Sequence, residues 1–383
     1  MCKDAALDNY LFMAKEGQKE EFFEEVEERT RNTYWMDDIE SKTIRVEVLP
    51  ATPLEAQGVA DMYGFDPELV IDTIQSTGLL IKFKGETHLL RDTAIKSLLD
   101  TTARLTGAGL SDLKTLYPED FAEVLNLVLK VARKESVVCV KDGKVSAVLS
   151  DRYSILHMNE LLETAVEKLG MRFGRTEFIS GFMTHDVMFT KFRLPEYKEE
   201  IRSLYDSLVK ESVYKTDFTP VIGLHSSDTG VDSVSLDSYL ETAGGQLIRI
   251  NKGVKLKHVG ATMEKYEQAL DICFAKFIDS AKAMAELSTK EIRYPYNAFM
   301  EACKKTRLPK KLCAEALETF TYYVGEDDSC SAMDIYMGIS EILGFARRDQ
   351  ASETTISMYE DELATILRFN WADLDMPGEH KWS

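Results

Sequence analysis

Four basic residues and a histidine within ten positions form the pattern in this sequence that is best suited to hold an anion. The segment RINKGVKLKHVG contains no acidic residue and carries Arg249, Lys252, Lys255, Lys257 and His258. In an extended chain Lys255 and Lys257 lie on one face, and Gly260 would begin a helix whose free N–H groups suit an anion. The pattern predicts phosphate binding. The alternative is a solvated edge strand whose lysines prevent pairing with another strand.

A second basic cluster, KKTRLPKK, lies between two predicted helices and includes Lys304, Lys305 and Arg307. A solvated loop is the simpler interpretation of this cluster. If both clusters lined one groove, their charges could follow the backbone of a single-stranded nucleic acid. Aromatic side chains could then stack on its bases. The candidates for stacking are Tyr153, Phe182 and Tyr239.

The tripeptide Asp151-Arg152-Tyr153 follows a predicted β-hairpin. One interpretation is a local ion pair beside a packed tyrosine. The other brings Arg152 to a phosphate and Tyr153 to a base, and we include both residues among the predicted nucleic-acid contacts.

The sequence favours binding over catalysis. His225, Ser226 and Asp228 lie too close together for a catalytic triad, whose members converge from separate elements, and there is no Gly-x-Ser-x-Gly motif. The histidines are dispersed, and neither a metal-binding motif nor a nucleotide-binding glycine motif is present. We therefore expect no catalytic residue, no metal and no cofactor, with an enzyme of unknown reaction as a weaker alternative.

Composition narrows the class of protein further. The chain has 383 residues, 44% of them hydrophobic, and a net charge of −19. Such a surface repels nucleic acid on average, so any nucleic-acid site must be local, and it could also attract a basic protein. The sequence shows no apolar run of membrane-spanning length and no secretory signal. Six cysteines without paired spacing indicate reduced thiols in the cytoplasm.

The predicted fold is α+β. A central antiparallel sheet with hairpins, one of them turning at Asp142-Gly143, packs against a long helix near 259–287, and helical modules flank it. The predicted domains are an acidic N-terminal helical arm with a small mixed module (1–90), the α+β core (91–289) and a C-terminal helical module (290–383). The acidic helix in EGQKEEFFEEVEERTRN is either a solvated arm or a docking helix.

Several short segments resemble the phage/plasmid-like proteins of domain-of-unknown-function family 932. In order, over roughly residues 90–380, they are DLKTLYPEDFAEVLN, GKVSAVLSDRYSILHMNELLE, HSSDTGVDSVSL, KLKHVG and SAMDIYMGISEIL. The resemblance implies a mobile-element origin and a cytoplasmic location, with no assigned reaction. Where members carry a Cys-Asn-Gly-type segment this chain reads ETAGGQLIRI, so a role of that cysteine does not transfer.

The element order also looks like the core of single-strand annealing proteins, which is an analogy of architecture alone. Our first hypothesis is a phage- or plasmid-encoded, non-enzymatic DNA-transaction protein. It would bind single-stranded DNA, self-associate into a homo-oligomer and could anneal strands. The alternative is an acidic protein-binding factor that acts on a host protein, for instance against a defence system, and has no affinity for DNA of its own.

Overall fold

The computed structural model describes residues 7–99, 114, 117–132, 135–206, 217–325, 329–351 and 353–378. The predicted α+β fold is confirmed, with antiparallel hairpins and flanking helices, and it is built on two large sheets. Within these ranges every helix is too short or too polar to span a bilayer.

The first sheet has six strands in the order β2-β6-β7-β5-β4-β3. Its strands are β2 (Thr33–Glu40), β3 (Arg45–Val48), β4 (Leu79–Phe83), β5 (Glu86–Leu90), β6 (Glu135–Lys141) and β7 (Lys144–Ser150). The predicted hairpin is formed by β6 and β7, because Asp142 (φ 49°) and Gly143 (φ 79°) both adopt the positive φ that this tight turn requires. β5 and β7 are parallel neighbours, so the sheet joins strands on both sides of the predicted boundary at residue 90.

In the described ranges four α-helices accompany this sheet: α2 (Ala56–Tyr63), α3 (Pro67–Ser76), α4 (Asp92–Ser97) and α5 (Pro118–Val131). α5 buries Phe121, Leu125 and Leu129 in the core beneath it. These positions are separated by four residues and so form one stripe of the helix.

The second sheet has seven antiparallel strands and carries the candidate site. They are β1 (Phe12–Lys15), β8 (Glu177–Met183), β9 (Met188–Arg193), β10 (Thr219–Ser226), β11 (Val234–Glu241), β12 (Leu247–Arg249) and β13 (Val254–Leu256). The order is β1-β8-β9-β10-β11-β12, and β13 pairs with β11 beyond the end of β12.

One face of this sheet belongs to the largest hydrophobic core. Alternate residues such as Phe192, Ile222, Leu224 and Leu236 are buried in the core that includes α6 (Met158–Phe173) and α8 (Met263–Glu286). Because side chains alternate across a strand, the residues between them lie on the opposite face of the sheet.

The acidic N-terminal helix, α1 (Lys19–Arg31), is a packed element and not a solvated arm. Its Phe22 and Val26 side chains are buried in the same core as the seven-stranded sheet. Gly181 on β8 makes room for this packing, because a Cβ there would lie 2.5 Å from the Phe22 ring.

The C-terminal part is helical, as predicted. Its helices are α9 (Pro295–Lys304), α10 (Lys310–Val324), α11 (Ala332–Ser340), α12 (Ile342–Arg348) and α13 (Glu353–Ile366); the shorter α7 (Lys198–Asp206) precedes β10. A two-stranded ribbon, β14 (Glu291–Ile292) with β15 (Cys330–Ser331), ties the start of this part to α11. Its buried residues continue the core of the seven-stranded sheet, while α13 reaches the opposite face through Glu360 and Asp361.

Candidate functional site

A cleft of about 460 Å³ lies between α13 and the face of the seven-stranded sheet that does not pack on α6 and α8. β8 to β13 supply its floor, and residues 356–361 of α13 form one wall. A volume in this range accommodates a small organic ligand.

A row of five side chains crosses the floor of the cleft from strand to strand. The directly opposed pairs are Phe182–Phe189, Phe189–His225, His225–Ser235 and Ser235–Lys255. The Phe182 and Phe189 rings are stacked with centroids 5.5 Å apart, and the His225 ring meets Phe189 edge-on at 6.1 Å. The floor therefore changes from an aromatic surface at β8 and β9 to a lysine on the edge strand β13.

A second row of opposed residues lies two positions along the strands from the first row and also belongs to the floor. Gly223 stands opposite Lys191 on one side and Asp237 on the other. A Cβ at Gly223 would lie 3.0 Å from the Tyr239 ring, so glycine leaves open the space that a side chain would fill. The Lys191 ammonium lies 4.8 Å from the Phe189 ring centroid and 5.0 Å from that of Tyr239, which are cation–π distances.

Arg249 lies in the cleft but is held by carboxylates. Its side chain is 3% exposed, forms a short ion pair with Asp237 and donates to Asp361 of α13 at 2.8 Å. The backbone passes close over this pair at Gly253, where a Cβ would lie 2.0 Å from Asp237 Oδ1. The guanidinium therefore links α13 to the sheet, and the carboxylates of Asp237 and Asp361 already neutralise its charge.

Glu360 is the most buried carboxyl group of the cleft, at 3% exposed. Its Oε2 accepts a hydrogen bond from the Tyr239 hydroxyl at 3.3 Å, and Arg347 Nη2 approaches Oε1 at 3.6 Å. Among the described residues Oε1 has no hydrogen-bond partner. Burial raises the pKa of Glu360 above its ordinary value, opposed by the positive charge of Lys191.

His225 adds a neutral donor and acceptor to the floor. Burial lowers the pKa of His225 below 6.5, opposed by the charge of Asp232, whose Oδ2 lies 3.5 Å from His225 Nδ1. At pH 7 the neutral imidazole can therefore donate from one ring nitrogen and accept at the other.

The first basic cluster is divided by the fold. Arg249 and Lys255 line the cleft, whereas Lys252 and Lys257 are exposed on either side of β13. Lys255 lies opposite Ser235 on the cleft face, while its neighbours Val254 and Leu256 pack against the core. The cluster thus presents three exposed lysines along one sheet edge, and its arginine is engaged inside the protein.

Tyr153 and His258 come together outside the cleft. Their rings stack with centroids 4.7 Å apart, and Tyr153 also stacks on Trp35 at 5.6 Å. The Tyr153 hydroxyl donates to the carbonyl of Ser227, and Ser154 N–H donates to the carbonyl of His258. This stack joins the two sheets, while Arg152 lies exposed in the turn after β7.

The second basic cluster follows α9 and does not line the cleft. Lys304, Lys305 and Arg307 are exposed, and Lys304 pairs with Glu301 at 2.8 Å. The backbone N–H of Arg307 donates to Glu362 at 3.1 Å. The described residues that line the cleft include none of these three.

Several residues that shape the cleft were not among the predicted site residues. They include Phe189, Lys191 and Asp237 of the floor and Glu360 of the wall. The sequence contained a signal for Phe189, Lys191 and Asp237. In β9 and β11, polar or aromatic residues alternate with the core residues Phe192 and Leu236. Such alternation marks a strand whose second face is not part of an apolar core. Glu360 gave no local signal, since a glutamate on an amphipathic helix ordinarily faces water.

Within the described part of the chain, no group of three or more histidine, cysteine, aspartate or glutamate side chains is placed to hold a metal ion.

Comparison of the chain with protein-family models, curated proteins and solved structures found no match in any of the three. The fold and the site by themselves define a class: an α+β protein with a cleft on one sheet face, lined by aromatic, basic and acidic side chains. Membership of family 932 stays a prediction.

Proposed function

We propose that this chain is a non-enzymatic protein that binds single-stranded nucleic acid, holding an unpaired base in the cleft and the adjacent phosphates along β13. The observation that carries the proposal is the cross-strand row, which joins the stacked rings of Phe182 and Phe189 to Lys255 at the sheet edge.

The aromatic end of the cleft suits a base. Phe182 and Phe189 are half-buried, so their rings contribute surface to the cleft while the sheet holds them in place. Stacking of a base on an aromatic side chain contributes about 1–3 kcal/mol and tolerates every base. The two rings together offer a platform for one base.

The phosphates belong at the rim and not on the floor. Asp237 and Asp361 already neutralise Arg249, and the acidic side chains of the cleft would repel a phosphate. The exposed ammonium groups of Lys252, Lys255 and Lys257 lie where a chain leaving the cleft would cross the edge strand. In the proposed complex the base lies inside the cleft and the backbone lies outside it.

Single strands should bind better than duplexes, because a base must leave its partner to enter a cleft closed on one side by α13. The proposal retains the expected phage or plasmid origin, the bacterial cytoplasm as the place of action, and self-association with strand annealing as consequences to be tested.

Fluorescence anisotropy with labelled single- and double-stranded DNA, at about 50 mM and about 200 mM salt, tests the proposal. We expect single strands to bind better, with affinity falling steeply as salt rises. The double variant K255E/K257E should weaken binding at least tenfold. F182A should weaken it roughly five- to tenfold, since one stacking surface is lost.

The matched control is K304E/K305E, which makes the same charge change on the basic cluster outside the cleft. It should retain most of the affinity. Absence of binding to either form of DNA at low salt would refute the proposal. Equal losses in the two double variants would show that only overall charge matters.

A basic protein partner is the second candidate, favoured by the outer surface of α1. With Phe22 and Val26 buried, this helix exposes Glu20, Glu24 and Glu27 around a groove of about 250 Å³ against α6. A host protein with a lysine- or arginine-rich segment fits this surface. Binding of such a protein, lost in E20K/E24K, together with no affinity for DNA, would favour this candidate over the first.

A further inference from the structure

We infer that the cleft selects bases that carry an exocyclic amino group, such as cytosine, over bases that carry a carbonyl group at the same position, such as uracil. This inference rests on the proposed function and names the ligand chemistry of that site.

The cleft is lined by carboxylates, and one of their buried oxygens has no hydrogen-bond donor among the described residues. Asp232, Glu360 and Asp361 all contribute to its lining. An ionised carboxylate can only accept hydrogen bonds, and each of its oxygens can accept two. The acidic wall, formed by α13 and the turn before β11, therefore favours a ligand edge that donates.

Glu360 Oε1 is the acceptor that most needs a donor. The residue is 3% exposed, and the Tyr239 hydroxyl bonds to the other oxygen. Arg347 Nη2 forms an ion pair with Oε1 at 3.6 Å, which is beyond hydrogen-bond distance. A buried acceptor without a donor is costly, so a ligand amino group placed there would satisfy an existing requirement.

The donors of the cleft already have partners or stand at its rim. Lys191 lies over the rings of Phe189 and Tyr239 and its positive charge acts on Glu360, while Lys255 stands at the edge strand. His225 Nδ1 lies 3.5 Å from Asp232. A base stacked on the aromatic end would turn its hydrogen-bonding edge toward α13. A carbonyl oxygen at the position of the amino group would then face a carboxylate oxygen, so two acceptors would oppose each other there. The N3–H of uracil is a donor at a different position on the edge.

The test is competition anisotropy with oligo(dC) and oligo(dU) of equal length at about pH 8, a pH that keeps cytosine neutral and favours the ionised form of Glu360. The two polymers carry the same charge, and their bases differ only in the groups at ring positions 3 and 4. A carboxylate that accepts from the cytosine amino group discriminates between bases, so we expect a preference for oligo(dC) of roughly five- to tenfold.

Two variants test whether Glu360 is the source of the preference for oligo(dC). E360Q keeps the shape of the side chain and an oxygen for the Tyr239 hydroxyl, but it adds donors; we expect the preference to shrink to about twofold or less. E362Q makes the same charge change on the same helix at a residue that does not line the cleft, and it should keep the wild-type preference. Thermal unfolding of both variants verifies that they are folded.

The outcomes separate the inference from the proposed function. Equal affinity of the wild-type protein for the two polymers would overturn the inference while leaving the proposed function standing. Binding to neither polymer would overturn both. A preference that survives in E360Q would remove Glu360 as its source and so overturn the assignment.

Discussion

Arg249 and Asp237 form a buried ion pair between the neighbouring strands β12 and β11, and the same guanidinium reaches Asp361 on α13. Because the pair lies beneath Gly253 and beside Tyr239, it fixes the floor of the cleft and one wall at once. Arg249 is therefore a positioning residue, although its sequence context suggested a direct phosphate contact.

Replacement of Arg249 by methionine should cost about 3–5 kcal/mol of unfolding free energy, because Asp237 would remain buried without its partner. D361N should cost at most about 1 kcal/mol, since the Asp361 side chain is 43% exposed. Urea denaturation of the two variants measures the difference. Equal losses would show that the pair with Asp237 contributes no more than the exposed one.

The close approach of the backbone at Gly253 predicts a second effect. In G253A the new methyl group would lie 2.0 Å from Asp237 Oδ1 and 2.8 Å from the carbonyl oxygen of Leu236, and the backbone oxygen cannot move freely. We expect a loss of about 1–3 kcal/mol. G58A is the control, because Gly58 lies in α2 with open space around it, and alanine should stabilise that helix by up to about 1 kcal/mol. Stabilisation by both substitutions would contradict the packing described at Gly253.

Lys141 joins the two sheets, and its loss should weaken the whole protein. The ammonium group, on β6, donates to the carbonyl of His185 at 2.7 Å and forms a short ion pair with Asp228, and both acceptors lie in turns of the other sheet. K141M should cost about 3–5 kcal/mol. K82M breaks the exposed pair with Glu47 and should cost at most about 1 kcal/mol. Thermal unfolding gives both values, and a K141M loss no larger than that of K82M would refute a structural role for the ion pair.

Four histidines predict how stability depends on pH. Burial lowers the pKa of each in the folded state, namely His88, His185, His225 and His258. As pH falls below about 6.5, the unfolded chain binds protons that the folded protein does not. The unfolding free energy therefore decreases as the pH is lowered.

Denaturation at about pH 7.5 and about pH 5.5 measures this slope. H258F should reduce it while preserving the stack on Tyr153, because one of the protonation differences is removed. Carboxyl groups such as Glu360, whose pKa burial raises, act in the opposite direction, and they are common to both proteins. An unchanged slope in H258F would show that His258 titrates alike in the folded and unfolded chains.

Much of the local structure could be predicted from the sequence. Asp142-Gly143 specifies a tight hairpin turn by its backbone preference, and the apolar period from Tyr266 to Phe277 specifies one face of the long helix α8. Each signal depends on residues within one or two turns of chain. Besides the α+β class, the structure confirmed predictions of this local kind, namely the hairpin of β6 and β7 and the long helix α8.

The composition of the sheets and the cleft depended on contacts that are distant in sequence. The parallel pairing of β5 with β7 joins segments more than fifty residues apart in the sequence. The hydrogen bond between Tyr239 and Glu360 joins residues more than one hundred positions apart. The amino-acid sequence by itself determined the elements, the acidic charge and the position of the basic edge strand. Only the tertiary structure decided that Arg249 is neutralised and that Phe182, Phe189 and Lys255 share one face, because strand register and helix docking are set by the packing of the whole core.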